Sequence, residues 1–480
     1  MLLTLDYKSR PRLQARHIET LKLTKTIEDE SGDRPIMISV VIPTFNKKDP
    51  KYNRALYRVL SECCQLVDKG VIDEIVIAEG SRLEDGKPDY EFMEYILAVA
   101  MKHCQTFKNE VMFVQNMPEG RQKAMQGRYD FCVRLLSQVD PKMHKVFLDH
   151  SILTKDELEF LKGGKGANLW FSIPVTYGDI ICFVDSDIVS FNDNYVKGLI
   201  MPIMERWGEK NDRGFSSGVV FNKATYKRRH KIRRGFKLGG RLSRLAAKPL
   251  FMVLAERGIF KGLDGLTYHF SGECAFTRDL VNMIQFSNGY DIETSVLCQL
   301  WKNAGVDMMS QTDLGYFRHL PGPEEHATNM LGEIMKALHY WIRRYGFEDS
   351  IGDIDQLVRD YEETAEGLLP EYKKMAAKSS GKIKYREEEI MEDRARIQKY
   401  KNIIREGFQA PESYEPKLLK PWESIKDQMN QKRGYSYVSL KSTLQQRVNM
   451  FTSETILTKI RVQIDRTSEI IEGYCDYIFY

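Results

Sequence analysis

Two carboxylates, Asp185 and Asp187, stand two residues apart at the end of an apolar run, Asp179-Ile180-Ile181-Cys182-Phe183-Val184. A buried strand ending in Asp-Ser-Asp delivers both acids to the carboxyl edge of a sheet, where open α/β folds hold their ligands. Acids so placed suit a hard divalent cation, Mg²⁺ or Mn²⁺, which fills its remaining positions with substrate oxygens. The ligand this chemistry implies is a nucleoside diphosphate. Alone, Asp-x-Asp is more often two solvated turn residues. The strand before it, and the Gly163-Gly164-Lys165-Gly166 turn that opens the preceding helix, favour the ligand.

That turn reads either as a plain loop at a helix start, with glycine supplying unusual backbone angles, or as backbone N–H groups and the Lys165 ammonium facing an anion. It lacks the spacing and the following Ser or Thr of a P-loop, which excludes an ATPase of that type. Ten Lys or Arg fall among the 22 residues from Lys223 to Arg244. Such a run is usually a solvated face. Here it leads into Gly239-Gly240-Arg241-Leu242-Ser243-Arg244, where glycines allow close approach and arginine grips phosphate bidentately. Gly289-Tyr290-Asp291-Ile292-Glu293 precedes a helical stretch, so its acids either favour the helix dipole or face an acceptor hydroxyl. Leu314-Gly315-Tyr316-Phe317-Arg318-His319 puts a histidine after a strand, a candidate third metal ligand.

The elements that must position these residues follow an α/β alternation. Met37-Ile38-Ser39-Val40-Val41-Ile42-Pro43 reads as a buried strand, Asn53 to Val67 as a helix and Asp73 to Ala78 as the next strand. Glu110 to Val114 reads as a third strand, Lys165 to Val175 as a helix and Asp179 to Val184 as the fourth strand. The implied architecture is a Rossmann-like, mostly parallel sheet flanked by helices, with a helical C-terminal region. We divide the chain into an N-terminal extension over 1–35, a catalytic domain over 36–345 with a charged helical insertion at about 120–163, and a C-terminal region over 346–480. The closing aromatics Tyr474, Tyr477, Phe479 and Tyr480 read as packing or dimer surface.

The chain has 480 residues, enough for two to four domains. Its 71 Lys plus Arg nearly cancel 67 Asp plus Glu, which argues against a chain built to coat nucleic acid. The eight cysteines (63, 64, 104, 132, 182, 274, 298 and 475) show no CxxC pairing and read as reduced core thiols. No apolar stretch is long enough to span a membrane, and Met1 to Glu19 carries scattered charges in place of a signal sequence. The expectation is a cytoplasmic protein.

The order of these motifs resembles the retaining glucosyl-3-phosphoglycerate synthases of glycosyltransferase family 81, which have a GT-A fold. The resemblance runs from Ile36 to Tyr345 and rests on VIPTFN, the Ile72 to Ile77 strand with Ser81 after it, GGKGANLW, DIICFVDSDI, GGRLSRLAAKPL, SGECAFTRDL, GYDIE and LGYFRH. It implies transfer of glucose from a nucleotide donor to 3-phosphoglycerate with Mg²⁺ or Mn²⁺. Pro43, Thr44, Ser81, Lys165, Asp185 and Ser186 would line the nucleotide sugar, and Asp187 and His319 would ligate the metal. Gly240, Arg241 and Ser243 would bind the acceptor, and Glu293, with Asp291, would act at the reacting groups, orienting them in a retaining enzyme or providing a general base in an inverting one. The partners implied are these two small molecules and a second copy of the chain.

This chain departs from the family at Asn46-Lys47-Lys48, where acids are usual, and at Ala78-Glu79-Gly80-Ser81-Arg82. Donor base and acceptor therefore stay open. A transferase using GDP-mannose or another donor is the nearest alternative. A nucleotidyltransferase lacks its Gly-rich signature after the first strand, and a non-catalytic scaffold would have been free to lose Asp185, Asp187, Lys165 or His319.

Overall fold

The computed structural model describes residues 3–6, 15–29, 32–125, 127–161, 163–232, 235–320, 324–378, 383–431, 436–459 and 469–472. The closing aromatics and Cys475 lie outside these residues. The chain forms two compact units, and they do not follow the linear division 1–35, 36–345 and 346–480. One comprises Arg10–Phe221, Glu273–Ile284 and Leu419–Tyr480; the other comprises Met1–Ser9, Asn222–Gly272 and Gln285–Leu418. Each is gathered from three separated stretches, because strands and helices from distant sequence complete one another's cores.

In the first unit the β-branched runs become strands buried on both faces, as a parallel sheet requires. The order is Cys274–Thr277, Ile180–Phe183, Ile38–Thr44, Glu74–Glu79, Val133–Ser137; the last four are mutually parallel, and the first is antiparallel to its neighbour. Helix Pro50–Asp68 starts with proline at its first position, and the Asp49 carboxylate accepts the Lys51 N–H. Helix Lys165–Val175 starts at Gly164 and leads into the Ile180–Phe183 strand, as expected.

Two expectations are corrected. Glu110 to Val114 is not a strand but part of helix Gln105–Gln115, with Phe107, Val111 and Val114 buried at helical spacing while Met112 and Phe113 face solvent. The third parallel strand is Val133–Ser137, inside the span assigned to a helical insertion. Its pattern was masked because Arg134 sits in the apolar run, where it is buried by pairing with Glu74. Ser39 and the Tyr177 N–H also donate to Glu74, so this internal charge is well satisfied.

The C-terminal stretch of this unit is anchored. Trp422 stacks on Trp170 at 4.6 Å between ring centres, the Trp422 indole N–H donates to the Trp170 carbonyl, and the Trp170 indole N–H donates to Lys420. Such stacking adds about 0.5–1.5 kcal/mol beyond area burial. In helix Tyr437–Lys459, Arg447 holds Asp140 through two bonds of 2.5 and 3.1 Å, and the Thr452 hydroxyl accepts the Leu135 N–H.

The second unit contains strand Leu3–Asp6, which pairs in parallel with Met309–Phe317; Met309–Phe317 neighbours Phe221–Ile232. Part of the N-terminal extension is therefore sheet. Phe221–Ile232 turns back antiparallel into Gly235–Leu238, against which Ile383–Lys384 lies parallel. Helices Ile292–Asn303, Glu324–Arg344, Ile354–Ala377 and Glu387–Phe408 pack around it. No helix among the described residues is long and apolar enough to cross a membrane.

Candidate active site

The carboxyl ends of three adjacent parallel strands define one chemical surface in the first unit. Thr44, Glu79 and Ser137 are the last residues of their strands and are register partners, so their side chains share a sheet face. Each carries a buried oxygen with no partner among the described residues: Thr44 Oγ1, Glu79 Oε2 and Ser137 Oγ. Burial pushes the Glu79 carboxyl up to about 7, against the pull of its bonds from Ser81. The Ser81 N–H donates to Glu79 Oε1 at 2.8 Å, and the Ser81 hydroxyl accepts the Asn46 N–H at 2.6 Å. The Asn46 amide donates in turn to Asp89. The sequence motifs singled out Thr44 and Ser81 but missed Glu79 and Ser137, whose only signal is their position at strand ends.

The Asp-Ser-Asp turn follows the Ile180–Phe183 strand. Lys165, in the first turn of its helix, reaches Asp185 at 2.6 Å, and Lys47 lies 3.5 Å from Asp187. The Ser186 hydroxyl bonds the Tyr52 hydroxyl at 2.8 Å, and Tyr52 also accepts the Phe45 N–H. Burial drives the Tyr52 phenol well above its ordinary value, so it stays protonated. The cluster thus joins Lys165, Asp185 and Ser186 with Lys47 and Asp187, while Pro43 and Thr44 close the neighbouring strand. Lys165 and Asp185 are each about one-third exposed (33% and 31%), which leaves both exchangeable for a ligand's phosphate and cation. Lys47 occupies a position where the resemblance leads one to expect an acid.

Asp185 and Asp187 are oxygen donors of the type a hard cation takes, with substrate oxygens completing the shell. No three His, Cys, Asp or Glu side chains among the described residues come together as a metal cage. His319 belongs to the other unit, where its Nδ1 lies against the Leu320 carbonyl.

The second unit holds a cavity of about 440 Å³. Gly240 lines it with φ +71°, and a Cβ there would come within 2.8 Å of the Tyr268 ring, so only glycine fits this turn. The Arg228 guanidinium donates to the Tyr268 hydroxyl at 2.7 Å on the same wall. Arg241 and Ser243 are not among the described lining residues; the buried Ser243 hydroxyl accepts the Phe270 N–H. Asp291 is buried and receives the Ser287 and Ser295 hydroxyls at 2.6 Å each, and the Trp341 indole N–H donates to Ser295. Burial raises its pKa while the two hydroxyls oppose the shift. This network fixes the start of helix Ile292–Asn303, with Glu293 in its first turn.

No protein-family model matches the chain. Among curated proteins it is similar to glucosyl-3-phosphoglycerate synthase of Mycolicibacterium smegmatis, 30% identical over 199 residues, which is 41% of this chain and 60% of that protein. The synthase of Petrotoga mobilis is 29% identical over 202 residues, 42% of this chain and 57% of that protein. The chain therefore spans about three-fifths of the length of the curated relatives it matches. Among solved structures, glucosyl-3-phosphoglycerate synthase of Mycobacterium tuberculosis in complex with Mn²⁺, UDP and glucosyl-3-phosphoglycerate aligns with 71% of this chain and 88% of its own, at 21% identity and a TM-score of 0.47. Over a segment of about 200 residues, this chain is similar to the glucosyl-3-phosphoglycerate synthases, the family that the order of its motifs resembles.

Proposed function

We propose that the chain is a metal-dependent GT-A transferase that moves a hexosyl group, glucose first among candidates, from a nucleoside diphosphate sugar to a small phosphorylated acceptor with retention. The observation that carries this reading is the Lys165–Asp185 pair beside Ser186–Tyr52 at the carboxyl edge of the parallel sheet. Similarity to synthases whose name specifies glucose and 3-phosphoglycerate supports it and makes 3-phosphoglycerate the first acceptor to try.

In this reading Lys165 binds the diphosphate, and its helix start adds favourable backbone N–H groups. Tyr52 orients Ser186 so that the Asp185 and Asp187 carboxylates stay aimed past the strand end. Thr44, Glu79 and Ser137 offer the nucleoside polar atoms that lack partners among the described residues. Asp187 would hold Mg²⁺ or Mn²⁺, which when bound neutralises the charge of the departing diphosphate; His319 is proposed as a metal ligand on the resemblance alone. Glu293 orients the acceptor, and the serine-bound Asp291 fixes the helix that carries it. The reading includes a cytoplasmic homodimer; the seven described cysteines, all buried and free of disulfides, accord with a reducing compartment.

The test is a donor-by-acceptor matrix with Mg²⁺ or Mn²⁺, following nucleoside diphosphate release from UDP-, GDP- and ADP-sugars. Release that requires a phosphorylated acceptor and vanishes in Asp187→Ala is expected. Release from no donor with any phosphorylated acceptor refutes the reading, and light scattering of the full chain checks the dimer.

A further inference from the structure

The loop that joins strand Ile38–Thr44 to helix Pro50–Asp68 brings a second lysine to the acidic turn. Lys47 stands where the resemblance leads one to expect an acid, and its ammonium lies 3.5 Å from Asp187 Oδ2 and 4.8 Å from the centre of the Tyr52 ring. The backbone on either side of it is tied down. The Phe45 N–H donates to the Tyr52 hydroxyl and the Asn46 N–H to the Ser81 hydroxyl. The Asn46 side chain donates to Asp89 and accepts the Lys48 N–H, each at 2.9 Å. Lys48 closes this turn in the left-handed region, at φ +50°. The loop therefore fixes where the Lys47 side chain starts, while the half-exposed side chain keeps room to swing.

With Lys165 on Asp185 and Lys47 beside Asp187, both carboxylates of the turn already face a cation of the protein's own. A divalent cation that approaches Asp187 meets the Lys47 ammonium a few ångströms away, and like charges at that range repel even across water. The ammonium must move off before the cation can settle. A diphosphate entering beside Lys165 gives it somewhere to go, because an ammonium takes phosphate oxygens as a compact point charge. An acid at position 47 would act in the opposite sense, adding a donor for the cation whether or not nucleotide is present.

We propose that Lys47 is a displaceable counter-ion, which shields Asp187 from a free divalent cation and passes to the diphosphate when nucleotide binds. The inference deepens the functional reading above and rests on it for the nucleotide and the cation. Coupling between two ligands is reciprocal, so Lys47 increases by one common factor the help that nucleotide gives to metal binding and the help that metal gives to nucleotide binding.

The experiment is titration of the full chain with Mn²⁺, followed by the electron paramagnetic resonance signal of the free ion, first without nucleotide and then with saturating UDP, GDP or ADP. No sugar donor or acceptor is present, so the readout is binding alone. Lys47→Met should tighten Mn²⁺ binding about fivefold or more in the absence of nucleotide, through loss of the repelling charge. The factor by which the nucleoside diphosphate improves Mn²⁺ affinity should fall about fivefold or more in the same variant. Lys47→Arg keeps the charge and should return both quantities to within about twofold of the native values, which loss of loop structure would not explain. Unchanged or weaker Mn²⁺ binding by Lys47→Met without nucleotide, in a chain that still binds Mn²⁺ with a nucleoside diphosphate, overturns the inference and leaves the functional reading standing. A native chain that binds Mn²⁺ with none of the three nucleotides sinks the functional reading and the inference with it.

Discussion

The strand-end cluster of the first unit and the cavity of the second both place cations beside carboxylates, yet the pairs differ in kind. Lys165 and Asp185 are each about one-third exposed, whereas Arg244 and Asp393 are 7% and 3% exposed. A partly exposed pair contributes at most about 1 kcal/mol and is easily traded for a ligand's charges. A buried pair cannot be opened without leaving a charge stranded, so it fixes geometry. The difference teaches that the first region is organised to exchange its ion pairs, and the second to hold a guanidinium still.

The contrast is sharpest where a buried pair lies in the first unit itself. Arg134→Met leaves Glu74 buried without its cation, and the expected loss of unfolding free energy is about 3–5 kcal/mol by chemical denaturation, with kcat/KM of the remaining folded protein unchanged. A fall in kcat/KM without loss of stability would place Arg134 in the site and blur the distinction. Asp187→Ala should do the reverse. Its contact with Lys47 is long and exposed, so stability should move by less than about 0.5 kcal/mol, while nucleoside diphosphate release falls about 10³-fold, near 4 kcal/mol of barrier.

Glu79 tests the comparison through pH. Its folded-state pKa, about 7, lies above the ordinary 4.5, so the native state holds the proton more tightly than the unfolded chain does. Its contribution to stability is fully present below about pH 4.5 and is lost as pH rises through 7, by up to about 3 kcal/mol. Glu79→Gln should flatten that slope in denaturant midpoints measured from pH 5 to 8; an unchanged slope would mean another group carries it. The smallest effect is expected from Lys165→Met: an increase of about tenfold in KM for the nucleotide sugar, with little change in melting temperature, because the pair with Asp185 is solvent-screened.

Much of the fold was legible because its signals are local. Helix Lys165–Val175 and the strands around Val40, Val76 and Cys182 follow runs whose hydrophobic pattern admits little else. The pattern misled where a tertiary partner changed the meaning of a residue. Arg134 looked incompatible with a buried strand until Glu74 paired with it, and Val111 and Val114 looked like strand residues until Phe107 joined them on one helix face. In the candidate site, Asp185, Ser186 and Asp187 were visible because they are consecutive and follow a strand. Tyr52, Glu79 and Ser137 were not, because each is an ordinary residue within its own helix or strand.

The sequence by itself determined the parallel α/β elements, the acidic turn at a strand end, the glycine turns at Gly164 and Gly240 and the likeness to glucosyl-3-phosphoglycerate synthases. These depend on neighbours a few residues apart, where backbone geometry and periodicity act directly. The tertiary structure alone decided that Leu3–Asp6 pairs with Met309–Phe317, that Trp422 stacks on Trp170, and that the cavity beside Gly240 is walled by helix Ile354–Ala377. Those contacts join residues more than a hundred positions apart, and burial, which sets their energies, is a property of the assembled core that no local stretch of chain encodes.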